Sequence, residues 1–187
     1  VAMASATHAL ATAAGIKPEI HVLTDDVEAA MRLVPLGIKV VPPTRENYEA
    51  AVHAITATPF TDNDVLTLYL SGHGVAVGKE KGDYVYLLPA ATSGSVSDLA
   101  AVAVRKRVGI TSQDMLDLLE HAIASKRVLI VDTCHAEAAG SLQSLNVKNA
   151  SETQTMAAMK QESKSTRLLL GCPADTKSYE DPRYGHG

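Results

Sequence analysis

The chain has 187 residues, 46% of them hydrophobic, with a formal net charge of −4 and a mean hydropathy of +0.03. Those values fit a single α/β domain with a full core, or most of one; they exclude a solvating acidic tail, and the lack of a basic stripe argues against direct nucleic-acid contact. No apolar run approaches the roughly 18 residues that cross a bilayer, and nothing at the start has the layout of a secretory signal. A cytoplasmic, reducing setting without membrane contact is therefore expected, with Cys134 and Cys172 as two free thiols rather than a disulfide.

In chain order, Ala2 to Ala14 is rich in alanine and reads as a helix stopped at Gly15. Glu19 to Leu23 alternates and predicts a strand, with Thr24, Asp25 and Asp26 placed to cap the next element. Val27 to Leu36 reads as a short helix or ordered loop, and Gly37 to Pro43 as an extended stretch broken by prolines. Thr44 is an N-cap, with Asn47 at the capping-box position, for a helix over about Arg45 to Thr56 that places Tyr48, Ala51, Val52 and Ile55 on one face. Asp62-Asn63-Asp64 then turns the chain into Val65-Leu66-Thr67-Leu68-Tyr69-Leu70, an aliphatic strand opening into Ser71-Gly72-His73-Gly74. Together these elements predict a β-α-β unit.

Val75 to Lys81 reads as a charged turn, and Asp83 to Pro89 as a strand near a sheet edge. Ala90 to Gly109, with its basic triplet Arg105-Lys106-Arg107, is expected to be an irregular surface loop. Thr111 and Asp114 form an aspartate variant of the capping box, and beyond them Met115, Leu118, Leu119, Ala122 and Ile123 recur at helical spacing. Val128-Leu129-Ile130-Val131 is a run of four aliphatics, the mark of a strand covered on both faces in a parallel sheet, and it ends in Asp132-Thr133-Cys134-His135. Glu137 to Lys164 reads as part loop and part helix, Arg167 to Cys172 as a last buried strand, and Pro173 to Gly187 as loop.

Chemistry in such sheets sits at the carboxyl ends of the strands, and two of these strands end in a cysteine and in a glycine-flanked histidine. An isolated thiol titrates near about pH 8.5, so a nucleophilic cysteine needs a nearby base or positive field; His73 can supply the base. Gly72 and Gly74 remove bulk beside it, leaving room for a peptide to approach and freeing the Gly74 N–H to point at a reacting carbonyl, with the Cys134 N–H as a second donor. The plain alternative is that Cys134 is a buried core thiol at a strand end. A zinc site from His73, Cys134, His135 and Cys172 has no close-spaced ligand pair behind it, and no glycine pattern for phosphate opens a helix after a strand.

Ser71-Gly72-His73-Gly74, then Asp83 to Pro89, then Val128 to His135 resembles, in motifs and in order, the caspase-like cysteine peptidases, closest to the bacterial caspase-homologue and metacaspase branch. The resemblance runs from about Ile20 to the end and implies a caspase-like three-layer sandwich: a mostly parallel sheet with helices on both faces. It implies a cysteine endopeptidase with Cys134 as nucleophile, His73 as general acid/base and an oxyanion hole from the Gly74 and Cys134 main chain. In metacaspase-type enzymes the acid two residues before the nucleophile lines the pocket for the residue preceding the scissile bond. Asp132 holds that position and favours Arg or Lys, with Asp25 and Asp175 as lesser substrate-binding contributors.

The expected partners are a protein or peptide substrate and an additional domain or regulatory partner. No cofactor is required; calcium activates part of the metacaspase branch, yet Asp62-Asn63-Asp64 is an ordinary turn. Residues 1–187 read as one peptidase domain lacking the family's first strand and C-terminal part. Glycine comes late after Cys134, at Gly140, where the family has it sooner. A catalytically silent scaffold or interaction module of the same fold is the competing functional expectation, and a zymogen awaiting a partner is another.

Overall fold

The computed structural model describes residues 1–77, 83–89, 99, 101–122, 124, 126–134 and 166–170. The chain divides into two compact units, Val1–His53 and Ala54–Gly187.

The first unit begins with helix α1 (Ala2–Ala13), none of whose residues is buried. Strand β1 (Val22–Leu23) pairs in parallel with β2 (Val40–Val41), in the register Val22↔Val40 and Leu23↔Val41. Helix α2 (Val27–Leu33) makes the crossover between them, its first turn capped by the Asp26 carboxylate, which accepts from the Ala29 N–H at 2.9 Å. A short 3-10 turn, Val34–Leu36, closes on Gly37 in the left-handed region. Ala29, Leu33, Ile38, Pro43 and Tyr48 are buried in this unit. Helix α3 (Arg45–Ala57) starts as expected at Thr44, whose hydroxyl accepts from the Asn47 N–H at 3.2 Å.

The expected β-α-β unit is corrected here. The parallel partner of β1 is β2, with α2 as the crossover, and the strand carrying His73 belongs to another sheet. Parallel pairing needs a connection long enough to return the chain to the same end, and the sixteen residues between Leu23 and Val40 already provide it.

The second unit is built on a five-stranded sheet in the order β5-β4-β3-β6-β7: Gly109–Thr111, Asp83–Leu87, Val65–Val77, Lys126–Cys134 and Thr166–Leu170. The sheet is mixed. The β3, β6 and β7 strands run parallel, while β4 is antiparallel to both β3 and β5. With its helices this mixed sheet is an α/β arrangement consistent with the expected caspase-like sandwich.

Helix α5 (Ser112–His121) opens on the expected capping box: the Thr111 hydroxyl accepts from the Asp114 N–H at 3.1 Å, and the Asp114 carboxylate accepts from the Thr111 N–H at 2.8 Å. Its apolar stripe, Met115, Leu116, Leu118 and Leu119, is buried. Leu66, Leu70, Leu129 and Val131 are buried on the sheet, and the Arg127 guanidinium donates to the Leu119 carbonyl at 2.6 Å, tying the end of α5 to the start of β6. Each fully buried Leu or Met contributes about 1.5–3 kcal/mol relative to exposure, so this layer anchors the sheet. The opposite face is more open, with Val65 at 55%, Tyr69 at 37% and Leu169 at 55% exposure.

Two further expectations are corrected. The strand leading to His73 does not give way to a turn at Val75: β3 runs on to Val77 and pairs with β4 from Gly74↔Tyr86 to Val77↔Asp83, so Val75 to Val77 is ladder. The basic triplet lies not in an irregular loop but in the last turn of α4 (Val102–Val108), where Arg105 Nε donates to the Leu99 carbonyl at 2.7 Å and Val108 is buried. Residues 135–165 and 171–187 lie outside the described residues, so the expected segments Glu137 to Lys164 and Pro173 to Gly187 are not described.

Candidate active site

The parallel ladder between β3 and β6 sets the site. Their register runs from Val65↔Lys126 to Ser71↔Asp132, Gly72↔Thr133 and His73↔Cys134. His73 and Cys134 are thus partners at the carboxyl end of the pair, on strands about 4.8 Å apart. The buried positions fix this: Leu66, Leu70, Leu129 and Val131 are all buried, and a slip of one residue would carry a strand's buried residues to the more exposed face.

Alternation along a strand puts Tyr69, Ser71 and His73 on one face. Asp132 faces Ser71 in register, so it shares that face with His73. Its carboxylate accepts a long hydrogen bond from the Tyr69 hydroxyl, 3.4 Å to Oδ2, a diagonal contact across the ladder. Asp132 and His73 are both half-buried, and Gly74 is buried. The Nδ1 atom of His73 is buried and finds no hydrogen-bond partner among the described residues. An imidazole nitrogen in that condition keeps a lone pair or a proton available for exchange.

The backbone leading to His73 is held from the other side by Tyr86. Its hydroxyl donates to the Ser71 carbonyl at 2.7 Å. Gly72 adopts φ +147°, and a Cβ there would stand 2.9 Å from the Tyr86 hydroxyl oxygen. Glycine before His73 is thus required by the phenol packed against it and by the backbone angle, a reason additional to the room for substrate expected from sequence.

Asp25, another expected site residue, lies in the first unit, exposed, just before the Asp26 cap. Asp175, His135 and Cys172 lie outside the described residues. Asp62-Asn63-Asp64 is a turn in which the Asp64 carboxylate accepts from the Thr61 N–H at 2.6 Å and from its hydroxyl at 2.8 Å. Among the described residues no three His, Cys, Asp or Glu side chains gather as a metal site, and no helix is long and apolar enough to cross a membrane.

Tyr69 and Tyr86 escaped the sequence reading. Tyr69 was visible as the residue alternating with Ser71 and His73. Tyr86 carried a weaker signal, an aromatic with a polar tip in a strand beside two glycines.

Two comparisons bear on this arrangement. Residues 18–185, nearly the whole chain, match the family model described as the caspase domain. No curated protein matches the chain.

Proposed function

The chain belongs to the caspase-domain family of cysteine peptidases, and from that premise we propose that it is an endopeptidase cleaving after Arg or Lys, of the metacaspase-like kind. Cys134 is the nucleophile, His73 the general acid/base, and the main-chain N–H groups of Gly74 and Cys134 form the oxyanion hole. Asp132 receives the basic side chain, with Asp175 as a lesser contributor. The observation that carries this reading is the register His73↔Cys134 at the carboxyl ends of adjacent parallel strands.

The chemistry runs in two halves. His73 takes the proton from the Cys134 thiol as sulfur attacks the scissile carbonyl carbon, and the negative charge moves to the carbonyl oxygen between the two N–H donors. Each such donor is worth about 2.7–4 kcal/mol of barrier in well-studied cases. Collapse breaks the C–N bond, and His73 returns its proton to the leaving amine, giving a thioester and the first product. Water, deprotonated by His73, then attacks the thioester carbonyl; the second product leaves as a carboxylic acid and the thiol is restored. The buried Nδ1 without a partner supports His73 in this role, because no described group competes for it.

Asp132 supports the choice of substrate. A half-buried carboxylate on the face of His73 attracts a guanidinium or ammonium group and repels an acidic one. The test compares the protein with Cys134→Ala on fluorogenic peptides that differ only in Arg, Lys or Asp before the leaving group, with and without calcium. Cleavage after Arg or Lys that vanishes in the variant is the expected result. Cleavage after Asp would overturn the pocket assignment. No turnover, and no labelling of Cys134 by a thiol-reactive peptide probe, would favour the silent scaffold.

A further inference from the structure

We propose that Tyr86 is a positioning residue for His73: its phenol replaces a sheet hydrogen bond that β4 does not supply, and so fixes the backbone from which the imidazole is aimed. This rests on the reading of His73 as general acid/base and adds a part to that machinery.

The hydrogen-bond accounting of β3 leads to it. On one edge β3 is paired with β6 from Val65 to His73. On the other edge the β4 register covers only Gly74 to Val77. Tyr86 is the last β4 residue in that register, and Leu87 goes on to pair with Gly109 of β5. Three residues before Gly74, the Ser71 carbonyl therefore lies past the end of the β4 ladder. No β4 residue pairs with Ser71, and from that side its carbonyl instead receives a side-chain donor, the Tyr86 hydroxyl at 2.7 Å.

The fit is specific to a tyrosine facing a glycine. The Tyr86 backbone stands opposite Gly74, and its ring reaches back along β3 to Ser71. It fills the space a Gly72 side chain would need: a Cβ there would lie 2.9, 3.3 and 3.4 Å from the phenol's oxygen, Cε2 and Cζ. The Tyr86 backbone is itself clamped, paired with Gly74 on one side and Ile110 on the other. A Cβ on Gly109 would collide with the Tyr86 carbonyl. The phenol is thus a short rigid strut from the centre of the sheet to the peptide unit preceding Gly72-His73.

Because the hydroxyl is neutral and bonds to backbone, its effect is geometric. Catalysis by a positioned base is sensitive to displacements of an ångström or less, whereas Asp132, on β6, is untouched. In Tyr86→Phe, kcat on an Arg peptide is expected to fall about tenfold, with KM within about twofold of the parent. The His73 imidazole signals in a proton–nitrogen NMR spectrum are expected to shift and broaden. Leu33→Ala, which hollows the core of the first unit, is the control for lost stability alone. An unchanged kcat and unchanged His73 signals in Tyr86→Phe would overturn the proposal, as would an equal fall of kcat in Leu33→Ala. Should the parent protein cleave no Arg or Lys peptide, the peptidase reading fails by itself, and the His73 signals alone decide for or against Tyr86.

Discussion

His73 and Cys134 are register partners on β3 and β6, sixty-one residues apart in sequence and one strand spacing apart in the sheet. If they act as one unit, their removal is strongly non-additive. His73→Ala is expected to lower kcat/KM on an Arg peptide by about a hundred- to ten-thousand-fold, and His73→Ala/Cys134→Ala to be no worse than Cys134→Ala. The rate of Cys134 alkylation by iodoacetamide, tracked against pH, gives a second measure: removing His73 should slow it near neutral pH. Equal alkylation in parent and His73→Ala would separate the two residues chemically despite their register.

Gly72 offers a test of the local fold that needs no activity. At φ +147° with the Tyr86 phenol against it, a methyl group is opposed by both the backbone angle and the packing. Gly37 has φ +72° and nothing within 4 Å of its missing Cβ, so only the backbone angle opposes it there. Gly37→Ala should cost about 1–2 kcal/mol and Gly72→Ala more, by about a further 1–3 kcal/mol for overpacking, measured by urea unfolding. Equal costs would mean the phenol moves aside freely.

The sequence was most legible where several local signals agreed. Thr111, Asp114 and the Met115, Leu118, Leu119 stripe announced α5 because cap and periodicity pointed the same way. The aliphatic runs before His73 and Cys134 announced β3 and β6, whose register makes those two residues partners. By contrast α4 was hidden: Val102, Val104 and Val108 are β-branched, which lowers helix propensity, and Ala101 gives no side-chain cap. What holds that helix is tertiary, the Arg105 bond to Leu99 and the burial of Val108. The continuation of β3 through Gly72, His73 and Gly74 was hidden for a similar reason. Glycine punctuates a sequence, and the chain stays extended there because β6 pairs with Gly72 and His73 and β4 with Gly74.

Asp64 gives the acid response of the turn into β3. The Thr61 backbone N–H, first, and the Thr61 hydroxyl, second, hold its carboxyl below the ordinary 3.8, with Lys126 adding a smaller pull in the same direction. A lowered value in the folded state means the folded protein binds fewer protons there than the unfolded chain. The stabilisation is therefore complete above the ordinary value and is lost as pH falls through the folded one. Unfolding of the parent and Asp64→Asn should differ by a constant amount near neutral pH and converge under acid. A gap that stays constant, or a carbon-13 titration placing Asp64 at or above its ordinary value, would refute this.

Asp132 carries the specificity argument. A carboxylate receiving a guanidinium or ammonium group supplies a charge-assisted bond worth about 1.5–3 kcal/mol, so Asp132→Asn should lower kcat/KM for Arg and Lys peptides by about ten- to a hundred-fold. A peptide with a neutral residue at that place loses no such bond and should be nearly unaffected, which is the internal control. Tyr69→Phe removes only the 3.4 Å bond to Oδ2, and because that bond is long its loss should be small, about two- to threefold, in the same direction. The two variants together locate the pocket. If Asp132→Asn weakens all peptides equally, the carboxylate is holding the β3–β6 strand end rather than the substrate; if Arg and Lys peptides alone suffer, the face shared by Tyr69, His73 and Asp132 is where the basic side chain lies.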